Sequence, residues 1–372
     1  MKKVVIVGAG VLGAATSYEF AKKGIETTIV EADNLGRATS AAAGIICPWV
    51  TQRRNKAWYE LARKGAAHLE QLISDLKNDG ETKTGYQKVG AIRLHNSKEK
   101  LEQLKEIAIK RREEAPQIGN IALLDREETV AKFPLLNGNY HSLFIEGAAR
   151  VDGRALRNAL ISAAKKHGAM HERGKAELLY ERGAVKGVQT EKNRFEADLT
   201  IAANGVWMPD LLAPLQIDLD IRAQKGEIVH LKADALDTAS LPVVMPPSNQ
   251  YLLNFPNGKI VIGATRSNVE TFDMNITAGG IHYILDHALK MAPPLRDFSI
   301  AETRVGFRPF TSNHLPIFGR IGDMEGLLIA NGLGASGLTT GPIIGQQLAK
   351  MALGEELDVK AEHYRPEQAL RK

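Results

Sequence analysis

An apolar run, Val4 to Val7, leads directly into Gly8-Ala9-Gly10-Val11-Leu12-Gly13, and that into a helix-forming stretch, Ala14 to Lys23. In a strand–turn–helix unit of this kind Gly8 permits the tight turn and Gly10 leaves room for a pyrophosphate beside the backbone. Gly13 lets helix and strand pack closely. The free N–H groups at the helix start, reinforced by the helix dipole, then hold phosphate oxygens. A second run, Glu26 to Val30, delivers Glu31 where its carboxylate can accept hydrogen bonds from an adenosine ribose, at about the 20-residue distance the pattern calls for. That carboxylate would repel a 2′-phosphate, which leaves FAD or NAD as the dinucleotide.

The rest of the composition limits the class. A chain of 372 residues has room for two domains, or for one large domain with an inserted lobe. The first apolar run is broken by glycines and lacks a small-residue cleavage site, so it does not read as a secretion signal. No stretch approaches the roughly 18 uninterrupted apolar residues of a membrane span, and the cytoplasm is the expected location. Cys47 is the single cysteine, which excludes internal disulfides and cysteine-rich metal sites. It reads as a small buried apolar residue, and no metal is expected. The net charge of +5 could help an anionic substrate approach. The densest basic stretch, Lys105 to Arg112, is interleaved with Glu106 and followed by Glu113 and Glu114. It reads as an amphipathic surface helix and gives no support to nucleic-acid binding.

Two further glycine-rich segments decide between FAD and NAD. The first, Gly36 to Ile46, sets Thr39 and Ser40 before three alanines and Gly44. Polar donors with little side-chain bulk can lie against a flat ligand, and the same segment can form a capped helical turn. The second, Gly326 to Pro342, is a strand, a glycine-rich turn and a helix expected to run to about Leu353. No acid follows it as a second ribose-binding fingerprint would require. Its helix start is better aimed at a flavin ring, where N–H groups and the dipole stabilise the negative charge that develops at the N1–C2=O edge on reduction. Between these lies Phe195 to Trp207, a strand ending at a small-residue turn around Gly205.

Taken in order, V-I-V-G-A-G-V-L-G with Glu31, T-S-A-A-A-G-I-I, V-D-G-R-A-L around Asp152, A-A-N-G-V-W, K-G-E, G-A-T, G-F-R-P, L-P-I-F-G and the final glycine-rich turn span nearly the whole chain. This series resembles the D-amino-acid oxidase family of FAD-dependent oxidoreductases, most of all its bacterial glycine oxidase branch, with D-amino-acid dehydrogenases beside it.

The resemblance implies an α/β fold. A Rossmann-type FAD-binding domain takes residues 1–85, 147–217 and 304–372, and a discontinuous second α+β domain with a mixed or antiparallel sheet takes 86–146 and 218–303. Short β-like runs at Gly226–Leu231, Tyr251–Asn254 and Lys259–Ala264, with helices at Gln103–Arg112 and Ile281–Ala292, fit that second domain. FAD is implied to bind non-covalently, because Cys47 sits in the wrong segment for the cysteine linkage of sarcosine oxidases. The cofactor-binding positions implied are Gly8, Gly10, Val11, Leu12, Gly13, Glu31, Ala32, Ala38, Thr39, Ser40, Ala43, Gly44, Ile45, Ala176, Gly205 and the continuous turn Gly332, Leu333, Gly334, Ala335, Ser336, Gly337, Leu338 and Thr339.

Arg308 is the leading catalytic candidate. A guanidinium presents a planar fork to a carboxylate, and the resemblance places it over the flavin, holding the α-carboxylate so that Cα–H faces N5. From the residues alone a structural arginine capping strand ends stays open. Tyr251 falls where glycine oxidase has a substrate-facing tyrosine, and a packed strand tyrosine also stays open. Glycine oxidase carries a second arginine in the final turn where this chain has Ala335, which argues against glycine itself and for a larger or N-substituted amino acid. The reaction implied is hydride transfer from Cα to the flavin, with electrons passing to O2 or another acceptor such as a quinone. A quinone acceptor would bring a peripheral membrane contact, and a homo-oligomer is left open. The alternatives are a flavoenzyme that trims a modified tRNA base and a flavin-binding scaffold without turnover. His314, in an Asn-His-Leu-Pro turn, is expected to be a surface histidine.

Overall fold

In a computed structural model, the chain is described over residues 1–233 and 236–371. Its nucleotide-type sheet has six strands in the order 317–319, 327–331, 199–202, 3–7, 26–31 and 170–173, all parallel except the edge strand Ile317–Gly319. Val4 to Val7 are all buried, because a central parallel strand is covered on both faces and has no polar side to show. On one face the helix Val11–Lys22 packs against the helices Gly153–Lys166 and Gly337–Leu353. Lys56–Asn78 joins this layer through Gly337–Leu353. Asn55 caps it by accepting from the Trp58 N–H, and it buries Trp58, Leu61, Ala62, Leu69, Leu72, Ile73 and Leu76, the stripe expected of helical periodicity. On the other face lies a three-stranded antiparallel sheet, 177–181, 184–189 and 194–196.

The expected single strand from Phe195 to Ala202 is divided. Arg194–Glu196 belongs to the small sheet and Leu199–Ala202 to the parallel one. The break falls at Asp198, whose carboxylate accepts from the backbone N–H groups of Lys2 and Lys3 and ties the first strand in place.

The larger sheet is built mainly of antiparallel strands. Its backbone is a pair of long strands, Ile221–Lys232 and Ser299–Thr311, hydrogen-bonded from Ile221 opposite Thr311 to Lys232 opposite Ser299. Strands 251–255, 259–263, 243–245, 91–95, 141–145 and 121–124 extend it. The helices over it begin earlier than their apolar residues suggest. Ser97 caps Lys98–Arg112 and Thr277 caps Ala278–Met291. The strand Ser299–Thr311 runs unbroken through residue 304, where the sequence suggests a domain boundary. A third, small sheet joins Ile45–Ile46, Gln87–Lys88 and Ala149–Arg150. No described helix is long and apolar enough to cross a membrane.

Candidate active site

A cavity of about 830 Å³ opens at the carboxyl ends of the parallel strands, where Val7, Gly8, Ala203, Asn204, Ala330 and Asn331 leave the sheet. Crevices at this end of an open α/β sheet are where nucleotides bind. Of the residues singled out in the sequence, Gly8, Gly10, Val11, Leu12, Glu31, Ala32, Ala38, Thr39, Ala43, Gly44, Ile45, Ala176, Gly205 and the run Leu333 to Thr339 line this cavity, as do Arg308 and Tyr251. Gly13, Ser40 and Gly332 do not.

Each of the three has a physical reason. A Cβ on Gly13 would stand 1.8 Å from the Gly8 carbonyl oxygen, so Gly13 serves helix–strand contact and faces away from the cavity. Ser40 lies on a smaller neighbouring cavity, where its carbonyl accepts from Arg154 Nε at 3.1 Å and Arg304 Nη1 at 3.2 Å. The Gly332 N–H donates to Asn331 Oδ1 at 2.7 Å, while Asn331 Nδ2 donates to the Gly205 carbonyl at 2.8 Å. Asn331 thereby ties the final glycine-rich turn to the small-residue turn around Gly205.

The helix that follows the first turn starts at Gly10 with no side-chain cap, as an anion-binding helix start requires. Its first N–H, that of Val11, is already bonded to Thr39 Oγ1 at 3.0 Å, so Thr39 joins the second glycine-rich segment to the first. The carboxylate of Glu31 is held by three cationic or polar groups the motif does not announce. Arg37 Nη1 lies 2.9 Å from Oε1, Arg157 Nη2 donates to Oε2, and His171 Nε2 is 3.7 Å from Oε2. Burial alone would raise the Glu31 pKa, but His171, Arg157 and Arg37 together hold it below the usual carboxylate range. Asn204 Oδ1 is buried on the cavity wall with no hydrogen-bond partner among the described residues. Buried acceptors are normally satisfied, and a dinucleotide's ribose and base N–H and O–H groups are donors of the right kind. The residues present fit FAD.

Arg308 comes from the long strand Ser299–Thr311 and faces Gln224 across the sheet. Its Nη1 is 3.3 Å from Gln224 Oε1 and 3.4 Å from the Thr265 carbonyl, both neutral acceptors at long range. Gly226, from K-G-E, is the neighbour that makes room for it, since a Cβ there would lie 2.6 Å from Arg308 Nη2. Burial pulls the guanidinium's pKa down, Tyr251 opposes this, and Arg266 adds to it by repulsion. Tyr251 lines the cavity beside it, and burial pushes its hydroxyl up to about 12, so it stays protonated at neutral pH.

Sequence reasoning missed Arg266. It directly follows the G-A-T segment, lines the cavity with Arg308, and has no ion pair or hydrogen bond among the described residues. Its only local signal is a basic residue after a strand that ends in Gly-Ala-Thr. Cys47 lies outside the cavity against the apolar core, and burial pushes its thiol up to about 12. His314 is exposed in a left-handed turn, φ 57°, with its ring against Phe310.

A family model for FAD dependent oxidoreductases, abbreviated DAO, matches residues 3–351. A protein of Bacillus subtilis strain 168 named uncharacterized oxidoreductase YurR is 50% identical over all of both chains. The crystal structure of iminodiacetate oxidase from Chelativorans sp. BNC1 superposes with a TM-score of 0.94, at 38% identity and 98% of each chain. That of glycine oxidase from Geobacillus kaustophilus gives a TM-score of 0.86 at 25% identity, over 98% of this chain and 99% of the other.

Proposed function

Because the chain belongs to the DAO family of FAD-dependent oxidoreductases, we propose that it oxidises a small amino acid or N-substituted amino acid at Cα. The observation that carries this reading is Arg308, a cation on the cavity wall with two distant neutral acceptors as its hydrogen-bond partners among the described residues. A half-buried guanidinium on a cavity wall, with no carboxylate partner among the described residues, is poised for a bidentate substrate carboxylate. The three glycine-rich turns and Glu31 would hold FAD, which would supply the acceptor for a hydride, that is for one proton and two electrons.

The chain's own residues supply orientation. Arg308 fixes the carboxylate and hence the face of Cα that is presented. Tyr251, neutral and beside Arg308, donates a hydrogen bond to the same end of the substrate. The start of Gly337–Leu353, capped by no side chain, turns its N–H groups toward the cavity, where negative charge develops. The substrate loses hydride from Cα and a proton from nitrogen, forming C=N. Water then adds to that bond and splits it into a 2-oxo acid and ammonia or an amine. O2 or a quinone takes up the electrons, and the cytoplasm is the place we assign to the reaction.

Similarity to proteins named glycine oxidase and iminodiacetate oxidase supports an amino-acid or amino-acid-like donor. The test is anaerobic bleaching of the bound flavin by free amino acids, N-substituted glycines and their decarboxylated amines. Bleaching by the carboxylates alone is expected. Bleaching by none of them, or equally by the bare amines, would overturn this reading.

A further inference from the structure

We propose that the smaller cavity beside the first, lined by four arginines, is a binding site for a phosphate dianion, either inorganic phosphate or a phosphomonoester with a small apolar body. The site is separate from the chemistry at Arg308 and does not depend on the substrate read for it.

This cavity measures about 340 Å³, and only Asn34 and Arg37 line both it and the larger one. Arg37, Arg154, Arg157 and Arg304 line it, and no acidic side chain does so among the described residues. Two carboxylates outside the lining are shared among the four cations. Glu31 takes Arg37 Nη1 at 2.9 Å and Arg157 Nη2, while Glu302 takes Arg154 Nη1 at 3.1 Å and Arg304 Nη2 at 2.7 Å. Four guanidiniums against two carboxylates leave two positive charges in excess. The neighbouring charges do not cancel them. Asp152 is matched by Lys259 at 3.1 Å, and His230, its pKa lowered to about 4 by burial and by Arg304, is neutral at neutral pH. Like charges held this close repel, and an anion between them relieves the repulsion.

The guanidiniums are fixed before any ligand arrives. The Ser40 carbonyl accepts from both Arg154 Nε at 3.1 Å and Arg304 Nη1 at 3.2 Å, so one backbone oxygen sets two forks. Arg157 donates through Nε to the Ala9 carbonyl and through Nη1 to Asn158 Oδ1. Donors ordered in this way lose little side-chain freedom when a ligand binds. Arg304 is the buried member. Its side chain is 10% exposed, and its buried Nε has no hydrogen-bond partner among the described residues. Buried donors are normally satisfied, and an anion drawn in beside Arg304 brings acceptors. Arg154 stands in the first turn of the helix Gly153–Lys166, at the positive end of its dipole, where the helix itself gives a cation no support.

A phosphate dianion suits this arrangement better than a carboxylate. Its oxygens accept from several forks at once, and its two charges match the excess, where a carboxylate matches half of it. Leu35, Met274 and Val305 give the cavity an apolar side, and its volume admits a body of about the size of a phenyl ring. The arginines come from the nucleotide-binding segments and from the long strand Ser299–Thr311, so a bound dianion ties these together and stabilises the folded protein.

The test uses the holoenzyme. Inorganic phosphate and phenyl phosphate are titrated by calorimetry at constant ionic strength, and thermal unfolding is followed in parallel. Wild type is compared with R154A and N158E, and R308A controls for binding in the larger cavity. N158E sets a carboxylate one turn after Arg154 on the exposed side of the helix and removes no packed side chain. Wild type is expected to show one saturable site per chain and a rise in unfolding temperature. R154A and N158E should each raise Kd by about tenfold or more and shrink that rise, the usual effect of losing or cancelling a charge-assisted contact. R308A should bind as wild type does. Tighter binding of phenyl phosphate assigns the site to organic phosphates, and equal binding assigns it to inorganic phosphate. No saturable binding at millimolar concentrations overturns the proposal, as does binding that neither R154A nor N158E weakens. Binding lost in an R308A protein that still holds FAD also overturns it, by moving the anion to the larger cavity.

Discussion

Gly226 and Arg308 lie on adjacent strands of the large sheet, and the space that a Cβ of Gly226 would fill is the space the Arg308 guanidinium occupies, with Nη2, Cζ and Nη1 at 2.6, 2.8 and 2.9 Å from it. The glycine of K-G-E and the arginine of G-F-R-P are therefore one device. Absence of a side chain on one strand sets the place of a cation on the next, and Gln224 and the Thr265 carbonyl hold it there.

Gly226→Ala should behave as a weakened Arg308 variant. The methyl cannot coexist with the guanidinium in its present place, so the arginine must move by an ångström or more. Misplacement on this scale is expected to cost about a hundredfold in kcat/KM. Flavin content and unfolding temperature should stay close to wild type, because the guanidinium end can swing toward the cavity. Loss of flavin together with activity would show that Gly226 serves the cofactor instead.

Arg308→Ala should retain FAD and lose roughly 30-fold to several-thousand-fold in kcat/KM, the equivalent of about 2–5 kcal/mol for a charge pair in a desolvated site. Arg308→Lys should recover only part of this, because an ammonium lacks the planar fork. The check is rapid-mixing flavin reduction by an amino acid and by its decarboxylated amine. The amine should be almost insensitive to either substitution; an equal loss for both would make Arg308 structural.

Gly10 and Gly13 should separate cofactor binding from folding. A Cβ at Gly10 meets Thr39 Oγ1 at 3.4 Å, an ordinary contact, so Gly10→Ala is tolerated by the protein itself and should act by crowding the pyrophosphate. Its product should be a folded, colourless protein. Gly13→Ala sets a Cβ against the Gly8 carbonyl and should lower the unfolding temperature of the apoprotein as well. Circular dichroism melts of both apoproteins, with flavin absorbance after reconstitution, distinguish the two outcomes.

His230 should make the fold acid-sensitive. It is 4% exposed, neither ring nitrogen has a hydrogen-bond partner among the described residues, and burial lowers its pKa from 6.5 to about 4. Arg304 and Lys259 push it down further, against Glu302 and Asp152. The unfolded chain therefore binds more protons than the folded one between those values. Stability should be complete above pH 6.5 and fall as the pH drops toward 4. Glu302, held at about 2 chiefly by its hydrogen bond from Arg304, adds a further loss from 4.5 downward. His230→Leu should flatten the dependence of Tm on pH between 6.5 and 4 without abolishing it, because half-buried His68 is also lowered to about 4. An unchanged slope would remove His230 from the account.

What could be read in the sequence was local. The first strand–turn–helix is specified by thirteen consecutive residues, and the C-terminal helix ends at Leu353, where Gly354 in a left-handed conformation stops it. G-F-R-P pointed to Arg308 through the resemblance, and its place inside the strand Ser299–Thr311 came from the structure. The surroundings of these residues depend on partners far along the chain. Arg157 reaches Glu31 across 126 residues and Gln224 reaches Arg308 across 84, and no spacing rule links such pairs. Arg266 escaped notice for the same reason, since nothing near it in sequence tells that its strand ends beside Arg308. The split at Asp198 was equally hidden, because its cause is the N-terminal backbone of Lys2 and Lys3.

The long strand Ser299–Thr311 also bears on how new specificities can arise. It touches the cofactor-side segment at Ala38–Ala41, carries Arg308, and is bonded along its length to Ile221–Lys232. This ladder lies within the large sheet, and Arg266, at the head of the stretch from Arg266 to Thr277, lines the cavity beside it. There Phe272, 38% exposed, rests edge-on against Trp207 on the cavity wall. Substitutions in that stretch alter what is admitted while the machinery for oxidation stays in place. In a protein engineered for another amine, residues 266–277 are the part to randomise and 299–311 the part to leave alone.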